Sequence, residues 1–144
     1  MSCCYRIYRA SHGLHGKGIV AGAVSSFLRH LNQFLFACHI GSGATIGERC
    51  VIQHNGVGVV ISDYAVVGDD CMIFQNVTIG VKEDGRTEAP VIGDGVVIGA
   101  GAILLGDITI GDGAKIGAGA VVLSDVDPGQ TVVGVPAKPV GGRA

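Results

Sequence analysis

Residues 92–122 read IGDGVVIGAGAILLGDITIGDGAKIGAGAVV. An aliphatic side chain returns at every sixth position (Ile92, Ile98, Leu104, Ile110, Ile116, Val122), and glycine follows four of these six. Working outward, the same beat runs through Ile61, Val67, Ile73 and Ile79, and before that through Ile40, Ile46 and Ile52. A fixed short period is the mark of a repeat architecture. Two residues ahead of the beat sits a second small or apolar series: Cys38, Ala44, Cys50, Ala65, Cys71, Val77, Val96, Ala102, Ile108, Ala114 and Ala120. An i−2, i alternation gives two inward side chains per short strand, as a pleated strand requires. The glycine after each beat suits a corner. Each hexad is therefore one strand plus one corner, and three hexads close a triangular coil. Stacked coils then pair as parallel strands at ~4.8 Å.

The expected fold is an all-β solenoid, a parallel β-helix of about four to five coils over residues 38–126. Residues 1–37 form an N-terminal segment with one amphipathic helix, and 127–144 an extended tail opening on the Asp127-Pro128-Gly129 turn. The helix is predicted over Ile19–Phe36, where Val20, Val24, Phe27, Leu28, Leu31, Phe34 and Leu35 recur at helical spacing. It is expected to pack on the first coil or on a partner subunit. One protruding polar loop, Val81 to Glu88, falls in the thirteen-residue step between Ile79 and Ile92.

Composition agrees with a thin, repetitive core. The 144 residues include 25 Gly and 4 Pro, no Trp, and only 5% aromatics. Apolar residues are 48% and the net charge is −2, which excludes a disordered chain and argues against a binder held to nucleic acid by phosphate contacts. Of five cysteines, Cys38, Cys50 and Cys71 fall in the small-residue slot and read as core, whereas Cys3 and Cys4 carry no readable role; no C-x-x-C spacing exists. Arg6, Arg9, His12, His15 and Lys17 near the start leave no apolar h-region. Arg29, His30, Asn32 and Gln33 interrupt the apolar stretch that follows, so no membrane span is expected. Peripheral membrane contact is compatible with the helix, and the expected location is cytoplasmic.

The candidate site follows from the other break in the beat. Ile52 to Ile61 is a nine-residue step, a hexad plus three, and it holds His54-Asn55-Gly56-Val57-Gly58. Irregularities in regular sheets often re-aim a side chain. Histidine as a residue type titrates near neutral pH and suits general-base work.

A hexapeptide repeat closing on Gly134-Val135-Pro136-Ala137-Lys138 resembles the hexapeptide-repeat acyltransferases, in the serine acetyltransferase-like branch. The likeness is carried by SGATIG (42–47), HNGVGVVI (54–61), QNVTIG (75–80) and GDGAKIGAGAVV (111–122), and covers about residues 38–140. It implies a left-handed coil, a homotrimer, and acetyl-CoA as co-substrate in the groove between subunits, with no metal. It implies His54 as catalytic base for direct attack of an acceptor hydroxyl on the thioester. It places Gly80 and Val81 near the thioester, Ala100 and Ala118 along the pantetheine arm, and Lys115 and Lys138 near the phosphates. The family's orienting aspartate falls on His39, its next acidic residue on Gln53, and its Arg-His acceptor clamp on Glu88-Ala89. His39, Asn55 and Glu88 are thus candidates for binding or orienting the acceptor.

An acid where the clamp stands disfavours a carboxylate-bearing acceptor. The string around His54 is also similar to that of short polysaccharide-pathway O-acetyltransferases. The expected acceptor is therefore a sugar or glycan hydroxyl, with serine O-acetylation as the alternative. A zinc-dependent carbonic anhydrase-like enzyme or a non-catalytic trimeric scaffold are the alternatives from other classes.

Overall fold

The computed structural model describes residues 3–14, 17–82 and 87–141. Residues 83–86, the centre of the expected polar loop, lie outside the described residues. From His39 onward the chain winds into a three-sided prism of about four turns whose walls are three parallel sheets.

The first wall stacks β1 (His39–Ile40), β4 (Val60–Ile61), β7 (Thr78–Gly80), β10 (Ile103–Leu105) and β13 (Val121–Val122). The second stacks β2 (Thr45–Ile46), β5 (Val66–Val67), β8 (Val91–Ile92) and β11 (Thr109–Ile110). The third stacks β3 (Val51–Ile52), β6 (Met72–Ile73), β9 (Val97–Ile98), β12 (Lys115–Ile116), β14 (Thr131–Val133) and β15 (Lys138–Val140). All pairings are parallel except β14 with β15, an antiparallel pair that ends the third wall.

Register follows the hexads. Ile40 pairs with Ile61, Ile61 with Ile79, Ile79 with Leu104, and Leu104 with Val122. Every beat position and every small-slot position named from the sequence is buried, the most exposed being Ile46 at 7%. Each such aliphatic side chain is worth roughly 1.5–3 kcal/mol of transfer free energy. Cys50 and Cys71 occupy consecutive storeys of one column, and their thiols donate to the Gly68 and Gly93 carbonyls at 3.1 Å. The Cys50 sulfur and burial together push the Cys71 thiol up, which leaves it a core residue.

A ladder of aspartates seams the corner after the second wall. The Asp69 carboxylate accepts from the Glu48 N–H at 2.7 Å, Asp94 from the Asp69 N–H at 2.8 Å, and Asp112 from the Asp94 N–H at 2.9 Å. Each carboxylate thereby satisfies a corner amide that has no strand partner.

The N-terminal segment departs from expectation in one way. It holds two helices, α1 (Cys3–Leu14) and α2 (Ile19–Phe36), not one. The α1 helix is fixed to the first coil by phenols: Tyr5 donates to the Gly47 carbonyl at 3.0 Å and Tyr8 to the Ala44 carbonyl at 2.7 Å. In addition, the α2 apolar stripe does not pack on the coil within this chain. Val20 is 79% exposed, Phe27 65% and Phe34 87%, whereas the buried α2 side chains are Ser25 and Asn32. Among the described residues no helix is long and apolar enough to cross a membrane.

Burial pushes the Tyr8 hydroxyl from 10.0 up to about 12. The folded state therefore keeps a proton that the unfolded chain releases near pH 10. Stability from this contact is complete below about pH 10 and is lost as the pH rises towards about 12. Thermal melts across that window should show a falling Tm, and Tyr8→Phe should flatten the fall while costing about 1 kcal/mol at neutral pH.

Candidate active site

The nine-residue step folds as a single 3-10 turn, His54–Gly56, inserted at the corner between the third and first walls. Both His54 (φ 49) and Asn55 (φ 57) are left-handed, followed by Gly56 (φ 72) and Gly58 (φ 69). Two adjacent non-glycine residues in this region cost free energy that the surroundings must hold in place. Three contacts hold it: the Gly58 N–H donates to the Phe36 carbonyl at 3.4 Å, the Asn76 N–H to the Val57 carbonyl at 2.9 Å, and the Val59 N–H to the Gly56 carbonyl at 3.0 Å. A Cβ on Gly58 would run into the Asn76 carboxamide, so the approach as well as the backbone angle calls for glycine.

This constraint delivers the His54 side chain outward. His54 and Asn55 are exposed, and the imidazole lies against the Phe74 ring, centroids 6.4 Å apart and planes at 43°. Among the described residues the His54 imidazole makes no hydrogen bond, and none joins it to His39; the His54 carbonyl accepts from the Val57 N–H at 3.3 Å. His39 is exposed at the start of the first wall; its N–H donates to the Val59 carbonyl at 2.8 Å, three residues past the turn.

The sequence-predicted residues fall on two edges of the prism. The corner that carries His54 continues upward through Gln75, Ala100 and Ala118. The Gly101 N–H donates to the Gln75 carbonyl and the Gly119 N–H to the Ala100 carbonyl, both at 2.9 Å. Ala118 stands three storeys above His54, or ~14 Å at ~4.8 Å per storey. Lys115 and Lys138 are exposed on the third wall beside this corner, on β12 and β15 with β14 between them. Gly80 and Val81 lie elsewhere, at the far end of the first wall, where Gly80 pairs with Leu105 and Val81 packs on the core. Glu88 is exposed on the stretch entering the second wall. One chain thus assembles His54, Ala100 and Ala118 on one edge and Gly80, Val81 and Glu88 towards another.

Sequence reasoning missed Phe74 and Asn76, which buttress the bulge from the next coil. Their signal was register: residues 74–76 lie one full coil beyond 53–55. Gln75 belongs to the same stretch, and its carboxamide oxygen is buried without a hydrogen-bond partner among the described residues. No cluster of three or more His, Cys, Asp or Glu side chains suited to a metal occurs among the described residues.

A family described as bacterial transferase hexapeptide (six repeats) matches residues 89–124. The chain is 48% identical over 136 residues to a serine acetyltransferase of Synechocystis sp., covering 93% of this chain and 53% of that one. It is 42% identical to the serine acetyltransferase of Helicobacter pylori, covering 92% of this chain and 77% of the relative. Among solved structures it is similar to Neisseria gonorrhoeae serine acetyltransferase in complex with serine, with TM-score 0.86, 41% identity, and coverage of 96% of this chain and 55% of that one. It is also similar to a serine acetyltransferase in complex with CoA, with TM-score 0.84, 34% identity, and coverage of 95% and 56%. The chain spans about half the length of most of these proteins. These likenesses correct the expected weighting of acceptors, since they favour the serine alternative and lend nothing to the polysaccharide likeness.

Proposed function

The chain belongs to the serine acetyltransferase family, and from that premise we propose that it transfers an acetyl group from acetyl-CoA to the hydroxyl of serine, with His54 as general base. The observation that carries the reading is the strained bulge. Two left-handed non-glycine residues are held at one corner, and their effect is to expose an imidazole on an otherwise regular wall. The acceptor hydroxyl gives its proton to a His54 ring nitrogen as its oxygen bonds to the thioester carbon. The carbon–sulfur bond then breaks, and the CoA sulfur leaves with the proton carried by the imidazolium. No acyl-enzyme is needed. The small side chains at Ala100 and Ala118 leave the corner open along the direction in which a pantetheine arm would lie. Gly80, Val81 and Glu88 sit on a different edge, so a complete site calls for a neighbouring copy, in keeping with a homotrimer.

A neutral acceptor is the second reading, and one observation favours it: Glu88 is exposed beside the loop with no ion-pair partner among the described residues. An acceptor panel separates the two. The purified protein, acetyl-CoA and either L-serine or neutral sugars are incubated, and products are weighed by mass spectrometry. Addition of one acetyl group to serine alone is the expected result. Acetylation of sugars with serine untouched would overturn the serine assignment.

A further inference from the structure

A general base works only while its ring is held against the hydroxyl it deprotonates, and a misplacement of about 1 Å costs on the order of 10²-fold in rate. Such a base is ordinarily aimed by a third group that hydrogen bonds to its far nitrogen. His54 has no such group among the described residues. Neither of its ring nitrogens is engaged, and His39 and Gln53 make no bond to the ring. An exposed side chain without a tether exchanges rotamers fast. One contact limits it. The Phe74 ring lies against the imidazole, centroids 6.4 Å apart and planes inclined at 43°, within the range of about 4.5–7 Å that aromatic pairs occupy.

Phe74 stands on fixed backbone. Immediately before the bulge the Gln53 N–H donates to the Ile73 carbonyl at 2.8 Å, and the Phe74 N–H donates to the Ile98 carbonyl at 3.0 Å. The residue is thus clamped from both neighbouring coils, beside the fully buried Ile73, and is itself half-buried. The bulge is held separately, by backbone contacts of Phe36, Gly56 and Asn76 that do not use the Phe74 side chain. The two tasks therefore divide: the backbone fixes where the imidazole begins, and the Phe74 ring limits which way its plane faces. We propose that Phe74 is the positioning residue for His54, an aromatic stop in place of a hydrogen-bonded orienting group. The proposal rests on the general-base reading above. A ring contact takes up neither nitrogen, so the unprotonated one stays open to the hydroxyl proton.

The test is steady-state kinetics of the full chain with acetyl-CoA and serine, beside Phe74→Leu, Phe74→Tyr, His54→Asn and the His54→Asn/Phe74→Leu double variant, with a thermal melt of each. Phe74→Leu keeps an apolar side chain on the same backbone. It should lower kcat about ten-fold, the upper end for an aromatic pair, and leave both KM values unchanged. Phe74→Tyr keeps the ring and should recover most of the rate. In the His54→Asn background Phe74→Leu should cost nothing further, because its effect passes through the imidazole. In spectra of protein labelled in its histidine rings, the signal lost in His54→Asn should be the one that Phe74→Leu displaces most among the five histidines. An undiminished kcat in Phe74→Leu, a rise in KM alone, tyrosine no better than leucine, a second ten-fold loss in the double variant, or a His54 signal left in place would each overturn the assignment. A His54→Asn protein as active as the original would sink the base reading and this proposal with it. An inactive His54→Asn beside a fully active Phe74→Leu would sink this proposal alone.

Discussion

Replacing His54 with asparagine lowers turnover by ~10²–10⁴-fold, the usual contribution of a positioned general base, and leaves the prism intact. Asparagine is the informative choice because His54 sits at φ 49, and asparagine tolerates the left-handed region better than alanine does. The variant therefore removes the base without adding backbone strain. The His54 ring is exposed and touches only Phe74 among the described rings, so little packing is lost. Initial rates of CoA release report the effect, with a thermal melt and CoA affinity as controls for fold and donor binding. A His54→Asn protein that turns over at the original rate would remove the imidazole from the chemistry.

Gly68→Ala should be a severely damaging single-methyl change in the prism. Gly68 follows the Val67 beat and carries no left-handed angle; it is glycine because the next coil passes over it. A Cβ there would stand 2.7 Å from the Gly93 carbonyl carbon and closer still to the Asp94 carboxylate. Backbone cannot swing aside, so the coil spacing must open and the Asp94 bond to the Asp69 N–H at 2.8 Å is strained with it. Overpacking of this kind costs about 3 kcal/mol or more, lowering Tm by on the order of 10 °C in a domain of this size. Gly113→Ala is the matched control. Gly113 has φ +67 and open space around its missing Cβ, so only the left-handed penalty of roughly 1–2 kcal/mol applies. Equal melts for the two variants would contradict the close passage of coils at this corner.

The prism was legible because its cause is local and repeated. An aliphatic side chain every six residues, with a small one two before it, admits one economical burial, and each of those positions is buried. The bulge was legible for the same reason, as an interruption of a regular count. The aspartate ladder was equally readable and was passed over: Asp69, Asp94 and Asp112 each stand two residues after a beat position. The α1 helix was hidden because nothing within Cys3–Leu14 fixes it. Arg6, Arg9 and His12 dilute its apolar pattern, and its attachment depends on Tyr5 and Tyr8 reaching carbonyls about forty residues ahead. The orientation of α2 was hidden for a related reason. Periodicity marks an apolar stripe but not what covers it, and within one chain the buried side chains of α2 are Ser25 and Asn32 instead. The division of the candidate site between two edges follows from how corners stack, which the linear order of His54, Gly80, Ala100 and Ala118 does not display.

Chemical rescue addresses the central claim most directly. Turnover of His54→Ala is measured with acetyl-CoA and serine as free imidazole is added, against a protein-free blank. The expected result is a saturable rise in acetylated serine, because a small base can occupy the space that the missing ring leaves at the exposed bulge. A His54→Ala protein already as active as the original without imidazole, or one whose rate never exceeds the blank, would contradict the assignment of this corner as the place where the acceptor hydroxyl loses its proton.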